Sequence, residues 1–161
     1  MRSSIDEWAM DLAMVTARRT TCLRRAVGCV ILNKRNHVIA TGYNGVAAGM
    51  PHCNDLVGDH KLANIALNQM YHPHACSGWN AASGTNLDGC LAIHAEQNAL
   101  LQCRDVHEID SIYITTSPCV TCTKLLLNTS CQSITFCDEY SHKDAEIIWR
   151  KAGRVWEKFV L

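Results

Sequence analysis

The chain has 161 residues, of which 48% are hydrophobic and 19% charged, values that are normal for a globular protein and unlike a disordered or collagen-like chain. This length favours one domain that spans residues 1–161. Fifteen basic residues balance fifteen acidic ones, and the basic residues form no run longer than pairs such as Arg18–Arg19 and Arg24–Arg25. Because a nucleic-acid-binding protein normally carries a basic stripe, we expect a small substrate and no nucleic acid.

The cysteine content bears on the compartment. Ten cysteines would suggest disulfides in a short secreted chain, but residues 1–30 lack the basic start, apolar core and cleavage site of a secretory signal. No apolar run approaches the roughly 18 residues of a membrane span. We therefore expect a soluble protein with reduced cysteines and no membrane partner, located in the cytoplasm, or in the host cytoplasm if the source is viral.

The first half of the chain predicts one helix, one hairpin and an irregular segment. Apolar residues recur at helical spacing over Ile5–Arg19 and predict an amphipathic helix. The β-rich runs Val27–Leu32 and Val38–Tyr43 are separated by Asn-Lys-Arg-Asn and predict two antiparallel strands. Periodicity then fades in an insert at about residues 45–90, apart from a short helix predicted near Lys61–Met70. A structureless loop of that length is unusual, so something is expected to pin it.

After the insert, the pattern alternates between helices and strands. The predicted elements are helix His94–Cys103, strand Ser111–Thr116, helix Cys119–Asn128, strand Ser133–Cys137, helix His142–Ala152 and strand Arg154–Val160. This alternation predicts an α/β protein whose sheet carries helices on its faces.

Two motifs point to a metal site. His-Ala-Glu at residues 94–96 opens one predicted helix, and Pro-Cys-Val-Thr-Cys at residues 118–122 opens the next. Cys119 and Cys122 lie three apart, so on a helix they project from one face, and the positive helix end favours their thiolates. His94 can supply a third ligand. Three protein ligands leave a fourth position for water, which is typical of a catalytic zinc rather than a structural one.

Glu96 is the candidate for proton transfer. Zinc lowers the pKa of a bound water to about 7, and Glu96, two residues beyond the ligand His94, can take that proton. On an ideal helix such residues point roughly 160° apart. Both side chains can therefore reach one pocket only if they lie at the tip of the helix.

With these residues in place, the sequence resembles the deoxycytidylate deaminase family of the cytidine deaminase superfamily over nearly its whole length. The motifs are Cys22–Arg25 with Val27-Gly28, Thr41–Gly45, His94–Ala99 and Pro118–Cys122, and His-x-Glu with Pro-Cys-x-x-Cys is a known signature of zinc nucleobase deaminases. The resemblance implies a three-layer α-β-α fold around a central mixed five-stranded sheet. It also implies hydrolysis of dCMP to dUMP and ammonia, which supplies dUMP for thymidylate synthesis.

The resemblance further implies roles for individual residues. Glu96 would protonate N3 of the cytosine and then the departing amine. Asn44 would hold the deoxyribose, Arg25 or Arg24 would meet the 5′-phosphate, and Tyr140 would close over it. An arginine fork suits a phosphate physically, although neighbouring arginines that follow a helix are often simply solvated.

Regulation and assembly are also implied by the resemblance. Relatives that look like this chain are commonly hexamers that dCTP activates, with Mg²⁺, and dTTP inhibits. The effector site would involve Gly42, Tyr43, Asn44 and Gly45. Such relatives often place a proline soon after this loop, whereas this chain continues with Val-Ala-Ala-Gly at residues 46–49. The two glycines could instead only shape a tight turn.

Nitrogen and sulfur ligands are concentrated around the insert. They are Cys22, His52, Cys53, His72, His74, Cys76 and Cys90. A second, structural Zn²⁺ would explain how so irregular a segment stays ordered. The resemblance points to Cys22 and Cys53 as two ligands, with His74 as a guess for a third. The alternative is that these are polar loop histidines and small buried cysteines.

Three other functions are compatible with parts of the pattern. A closed structural zinc module, in which Cys119 and Cys122 join two cysteines of the insert, gives Glu96 no role. A free cytidine or deoxycytidine deaminase would not require the 5′-phosphate. A deaminase that edits tRNA or single-stranded DNA uses the same chemistry, but the neutral charge and the lack of a basic stripe argue against it.

Overall fold

The computed structural model describes residues 2–55, 75–86, 88–140 and 142–160. Within these ranges a five-stranded sheet carries helices on both faces. In chain order the elements are α1 (Ile5–Ala17), β1 (Gly28–Asn33), β2 (Val38–Tyr43), α2 (Ala95–Gln102), β3 (Ile109–Thr116), α3 (Val120–Leu127), β4 (Ser133–Asp138), α4 (Asp144–Lys151) and β5 (Val155–Lys158).

The sheet is mixed. Its strand order is β2-β1-β3-β4-β5, in which β1 pairs antiparallel with β2 and β3, while β3, β4 and β5 run parallel. A tight turn joins β1 to β2, whereas α3 and α4 make the crossovers that parallel neighbours require. The predicted α/β class and the mixed five-stranded sheet are therefore confirmed.

Helix α1 covers one face of the sheet. It begins in a capping box, in which the Glu7 amide donates to Ser4 Oγ (3.1 Å) and the Ser4 amide donates to the Glu7 carboxylate (2.7 Å). Its apolar face, made of small residues and Met10, packs on alternate residues of β1 and β3, as expected for an amphipathic helix. The buried members of this core are Ala9, Met10, Ala13, Val30, Leu32 and Tyr113.

Helices α2, α3 and α4 cover the opposite face. Ala99 of α2, Leu126 of α3 and Trp149 of α4 are all fully buried. They pack against the other set of alternate strand residues, among them Cys29, Ile31, Ile112, Ile114, Ile134 and Phe136. Burying this second core fixes the ends of α2 and α3 against the sheet.

Every helix and strand predicted within the described ranges is present, and its ends differ from the prediction by at most two residues. His94 and Cys119 were expected to begin their helices. They instead occupy the N-caps of α2 and α3 with extended backbone, at φ −70°, ψ 155° and φ −73°, ψ 167°. The helix predicted near Lys61–Met70 lies outside the described residues. No helix in the described part of the chain is long and apolar enough to cross a membrane.

Two glycines allow α1 and α2 to approach the sheet backbone. A Cβ on Gly28 would lie 2.0 Å from the carbonyl oxygen of Ala13, and a Cβ on Gly42 would lie 2.2 Å from that of Ala95. Neither position has room for a side chain, because the nearest atoms belong to helix backbone. The absence of a side chain at Gly42 therefore fixes how closely α2, with the residues at its N-terminus, packs on β2.

The close approach at Gly28 predicts a loss of stability in Gly28→Ala. We expect the free energy of unfolding to fall by about 1–3 kcal/mol, the usual cost of overpacking, because α1 must move to admit the methyl group. Urea denaturation at fixed pH and zinc concentration measures the change. Lys34→Ala, in the exposed hairpin turn, is the control and should stay within about 0.5 kcal/mol of the parent. Equal midpoints for Gly28→Ala and the parent would contradict the packing described here.

Candidate active site

The N-termini of α2 and α3 meet at a cavity of about 210 Å³. His94, Glu96 and Cys119 line it, and so do Asn44, Arg24, Arg25 and Tyr140. The helix ends contribute partial positive charge, which favours thiolates and other anions at this place. One cavity therefore collects the residues that the sequence proposed for metal binding, proton transfer and substrate binding, apart from Cys122, which is fully buried.

His94, Cys119 and Cys122 form a three-residue cluster with the geometry of a metal site. The Nδ1 atom of His94 lies 3.5 Å from Cys119 Sγ and 3.4 Å from Cys122 Sγ. A tetrahedral zinc with Zn–N of about 2.0 Å and Zn–S of about 2.3 Å would hold N and S about 3.5 Å apart. Among the described residues, these three form the one His/Cys/Asp/Glu group whose ligand atoms all lie within 4.8 Å of one another. The donor set thus fits zinc.

The protonation of the two thiols reflects their proximity. A hydrogen bond from Cys122, followed by contact with His94, lowers the pKa of Cys119 to about 4. The same Cys119–Cys122 hydrogen bond raises the pKa of Cys122, and burial raises it further. One thiolate and one thiol therefore share a proton, and a cation at this point would replace it.

Glu96 is buried beside these ligands. It is the second residue of α2 and only 4% exposed, and its carboxyl group contacts the Cys122 side chain. Burial raises the pKa of Glu96 to about 7, although the charge of His94 opposes the shift. Because His94 is at the N-cap, one step before the helix, both side chains face the same cavity. A carboxyl group with a pKa near neutrality can both accept and donate a proton.

Local hydrogen bonds fix the N-terminus of α2. The amide of His94 donates to Gln97 Oε1 (2.9 Å), and the Asn98 amide donates to the carbonyl oxygen of His94 (2.9 Å). Asn98 Nδ2 also donates to the carbonyl oxygen of Tyr43 (2.8 Å), which ties α2 to the end of β2. Gln97 and Asn98 were not predicted from the sequence as site residues, although both lie inside the His94–Ala99 motif.

Asn44 lines the cavity and binds the segments on either side of it. Its Oδ1 accepts from Thr20 Oγ1 and from the Val27 amide, each at 2.8 Å, and its Nδ2 donates to the carbonyl oxygen of Arg25 (2.7 Å). These bonds hold the segment between α1 and β1 against the end of β2. An asparagine amide has two N–H donors, so one Nδ2 hydrogen remains for a ligand.

Arg24 and Arg25 differ in what they bind. Arg24 Nη2 donates to the carbonyl oxygens of Ala82 and Thr85, the latter at 2.9 Å, and so fastens a turn of the insert. Arg25 is exposed, and its Nη2 donates to Ser83 Oγ (3.2 Å). Ser83 also lines the cavity. It was missed in the sequence, where Ser-Gly at residues 83–84 indicates only a turn.

Tyr140 lines the cavity together with the two arginines. Burial raises the pKa of its hydroxyl and the charge of Cys119 adds to this, while Arg24 and Arg25 lower it. Its amide donates to Ser117 Oγ (2.7 Å). The hydroxyl therefore lies within the electrostatic reach of both guanidinium groups.

The loop predicted to bind effectors lies beside the cavity. Among Gly42, Tyr43, Asn44 and Gly45, only Asn44 lines it. Gly45 forms an isolated antiparallel bridge to Ile93, and the Arg19 guanidinium lies 5.8 Å from the centre of the Tyr43 ring. The loop thus connects the end of β2 to the residue that precedes His94.

The cysteines named for a second metal also lie near the cavity. Cys22 lines it, and Cys53 is buried and contacts Cys76. His74, the third suggested ligand, lies outside the described residues.

Comparison with known proteins places these features in a family. Residues 3–138 match the family described as the cytidine and deoxycytidylate deaminase zinc-binding region. The deoxycytidylate deaminase of Schizosaccharomyces pombe is 34% identical over 144 residues, which cover 87% of this chain but only 39% of that protein. The deoxycytidylate deaminase of Mycobacterium phage D29 is 30% identical over 139 residues, which cover 84% of this chain and 95% of the phage protein.

A solved structure supports the same assignment at the level of the fold. The dCMP deaminase from cyanophage S-TIM5, crystallised with dCMP and dUMP, superposes with a TM-score of 0.69 at 23% identity, covering 99% of each chain. At that identity the likeness establishes the shared fold, while the match over residues 3–138 includes both motifs at the cavity. The chain therefore belongs to the cytidine and deoxycytidylate deaminase family.

Proposed function

We propose that this chain is a zinc-dependent deaminase that hydrolyses dCMP to dUMP and ammonia, and so supplies dUMP for thymidylate synthesis. The observation that carries the proposal is the His94–Cys119–Cys122 cluster with the buried Glu96 beside it in one cavity. The relatives named deoxycytidylate deaminase favour the same substrate.

In the proposed reaction, His94, Cys119 and Cys122 would hold a zinc ion, which would supply Lewis-acid activation of a water molecule. Glu96 accepts the proton of that water and delivers it to N3 of the cytosine. Once the water oxygen has bonded to C4, Glu96 carries the proton of the new hydroxyl group to the 4-amino group, the C4–N bond breaks and ammonia leaves. The elevated pKa of Glu96 suits this double use, because neither protonation state is strongly disfavoured near neutral pH.

For the rest of the substrate, we assign Asn44 to the deoxyribose through its remaining Nδ2 hydrogen. We assign Arg25 to the 5′-phosphate, with Ser83 and Tyr140 beside it. Arg25 is preferred to Arg24 because a phosphate can displace its single bond to the Ser83 hydroxyl, whereas Arg24 holds two backbone carbonyl groups. Arg24 then positions the turn that faces the phosphate.

Regulation, assembly and location are carried over from the family as further parts of the proposal. The protein would be a cytoplasmic hexamer, activated by dCTP with Mg²⁺ and inhibited by dTTP at the loop Gly42, Tyr43, Asn44 and Gly45. Tyr43 is connected to the cavity in two ways that support such coupling. A ligand at Tyr43 would act on Asn44, its neighbour, and on Asn98 of α2, which binds the Tyr43 carbonyl oxygen.

The competing functions differ in what they need from the site. A closed structural zinc module would require two insert cysteines beside Cys119 and Cys122, but the described ligand cluster there is completed by His94. A free-nucleoside deaminase would give Arg25 and Ser83, which bond to each other, no substrate group to bind. A nucleic-acid editing enzyme would need a basic stripe, which the balanced charge of the chain does not favour.

The direct test is an ultraviolet deamination assay of zinc-replete protein with dCMP, deoxycytidine, CMP and a cytosine-containing oligonucleotide. Fast turnover of dCMP alone is the expected result. Each assay is repeated with dCTP and Mg²⁺, and with dTTP, to test regulation. Turnover confined to the oligonucleotide or to nucleosides, or absent for all four, would reject dCMP as the substrate.

Glu96→Gln tests the proton transfer step. We expect kcat for dCMP to fall by about 10²–10⁴-fold, because the amide cannot move a proton, while the zinc content stays unchanged. Steady-state kinetics and metal analysis of the same preparation provide the two readouts. Glu108→Gln, at an exposed position, is the control for loss of a carboxylate. Near-normal turnover in Glu96→Gln would exclude the proposed role.

Arg25→Ala tests the phosphate contact. We expect KM for dCMP to rise about tenfold or more, since a charge-assisted hydrogen bond is lost, whereas KM for deoxycytidine should not change. Ser83→Ala should act in the same direction with a smaller effect. Arg24→Ala should impair both substrates, because it releases the turn. Equal effects of Arg25→Ala on nucleotide and nucleoside would contradict the assignment.

A further inference from the structure

Three strand ends lie side by side at the candidate active site. The antiparallel registers of β1 with β2 and with β3, continued to the ends of the strands, place Val27 between Asn44 and Thr116. The Val27 amide donates to Asn44 Oδ1 (2.8 Å), and the Asn44 amide donates to the Val27 carbonyl oxygen (3.3 Å). All three residues line the cavity. We call Asn44, Val27 and Thr116 the end row of the sheet.

The end row lies on the face of the sheet that α2 and α3 cover. Side chains alternate between the two faces of a sheet. Cys29 and Ile114, which are two residues away from Val27 and Thr116 along their strands, belong to the core beneath these helices, and Val27 packs against the same core. The end row is therefore on the same side of the sheet as the metal-binding cluster.

Thr116 presents an unbonded hydroxyl group to the cavity. The residue is only 6% exposed and lines the cavity, and within the described ranges its side chain forms no hydrogen bond. Among those residues, the side-chain oxygen that is both fully enclosed and unbonded belongs to Thr21, so the hydroxyl of Thr116 is open to the cavity. Because a buried hydroxyl without a partner is unfavourable, a ligand in the cavity is the natural source of one.

We propose that the Thr116 hydroxyl binds the 4-amino group of the cytosine, the group that leaves as ammonia. This inference rests on the function proposed above and names a residue that selects the amino group. A threonine hydroxyl has one donor and two acceptor positions. Its oxygen accepts an N–H of the amino group in the substrate, and its hydrogen can turn to the carbonyl oxygen at C4 in the product.

The order of the end row supports this assignment. The deoxyribose of dCMP has one free hydroxyl, at C3′, and Asn44 is the residue assigned to the sugar. Neighbouring strands lie about 4.8 Å apart, so Thr116, two strands away, lies about 10 Å from Asn44. That separation is comparable to the span of the nucleoside from its 3′-hydroxyl to its 4-amino group. Val27, between them, is apolar and suits the hydrocarbon part of the deoxyribose.

The metal-binding cluster points to the same end of the substrate. Thr116 is the last residue of β3, the strand that leads into α3, and lies three residues before Cys119. The reacting carbon C4 must lie at this cluster, because Glu96, which moves the protons, is buried beside it. The amino group on C4 is therefore closer to Thr116 than to Asn44, which follows β2.

Replacement of Thr116 by valine tests the contact, because Thr116→Val removes the hydroxyl and keeps the shape of the side chain. We expect kcat/KM for dCMP to fall about tenfold as the amino group loses an acceptor, and Thr116→Ser to stay within about threefold of the parent. The inhibition constant of the pyrimidin-2-one deoxynucleotide, which is dCMP without the amino group, should stay unchanged in both variants. Thr135→Val is the matched control, since Thr135 is equally buried in a strand, at 7% exposure, but does not line the cavity.

Two outcomes would overturn the inference. One is an unchanged kcat/KM in Thr116→Val, and the other is an equal loss of affinity for the pyrimidin-2-one nucleotide, which would mean that Thr116 only supports the shape of the cavity. If Thr116→Val does not fold, as judged by thermal unfolding and zinc content, Thr116→Ala removes the hydroxyl without crowding and gives the same comparison. Turnover of dCMP by the parent tests the proposed function separately, so a negative result at Thr116 leaves that function intact.

Discussion

The candidate site depends on two helix N-termini that meet at one end of the sheet. His94 and Cys119 are both N-caps with extended backbone, and this conformation turns their side chains into the space between α2 and α3. Glu96 and Cys122, which lie two and three residues beyond these N-caps, then reach the same space from inside the helices. Because both helix ends carry partial positive charge, the arrangement stabilises thiolates and also increases the cost of any second cation at the same point.

Close packing holds the N-termini of α2 and α3 at fixed positions relative to each other. Helix α2 rests on β2 at Gly42, where no side chain fits, and α3 lies in the crossover between the parallel strands β3 and β4. A hydrogen bond from Asn98 Nδ2 to the carbonyl oxygen of Tyr43 also links α2 to the end of β2, next to Gly42. Metal-ligand separations tolerate errors of only about 0.2 Å, so the site depends on the rigidity of these contacts.

The sequence predicted the regular elements and the residues at the helix ends, because both leave short-range signals. Periodicity located α1 to α4 and the strands, and the His-Ala-Glu and Pro-Cys-x-x-Cys spacings identified the metal-binding candidates. It did not predict that Arg24 holds backbone carbonyl groups while Arg25 meets Ser83, nor that Cys76 and Cys90 join Cys22 and Cys53. Those contacts connect residues about 14 to 68 positions apart through an irregular segment, where neither a period nor a motif indicates which residues are neighbours in space.

The bonding of Asn44 has a consequence for how this protein can change. The amide accepts from Thr20 and Val27 and donates to the Arg25 carbonyl oxygen, so it holds the wall of the cavity that it also lines. Asp would place an acceptor where the Arg25 carbonyl oxygen needs a donor, and Ala would remove three bonds. The lining of the cavity can therefore change at its other residues without loss of these bonds, whereas a change at Asn44 would also loosen the wall.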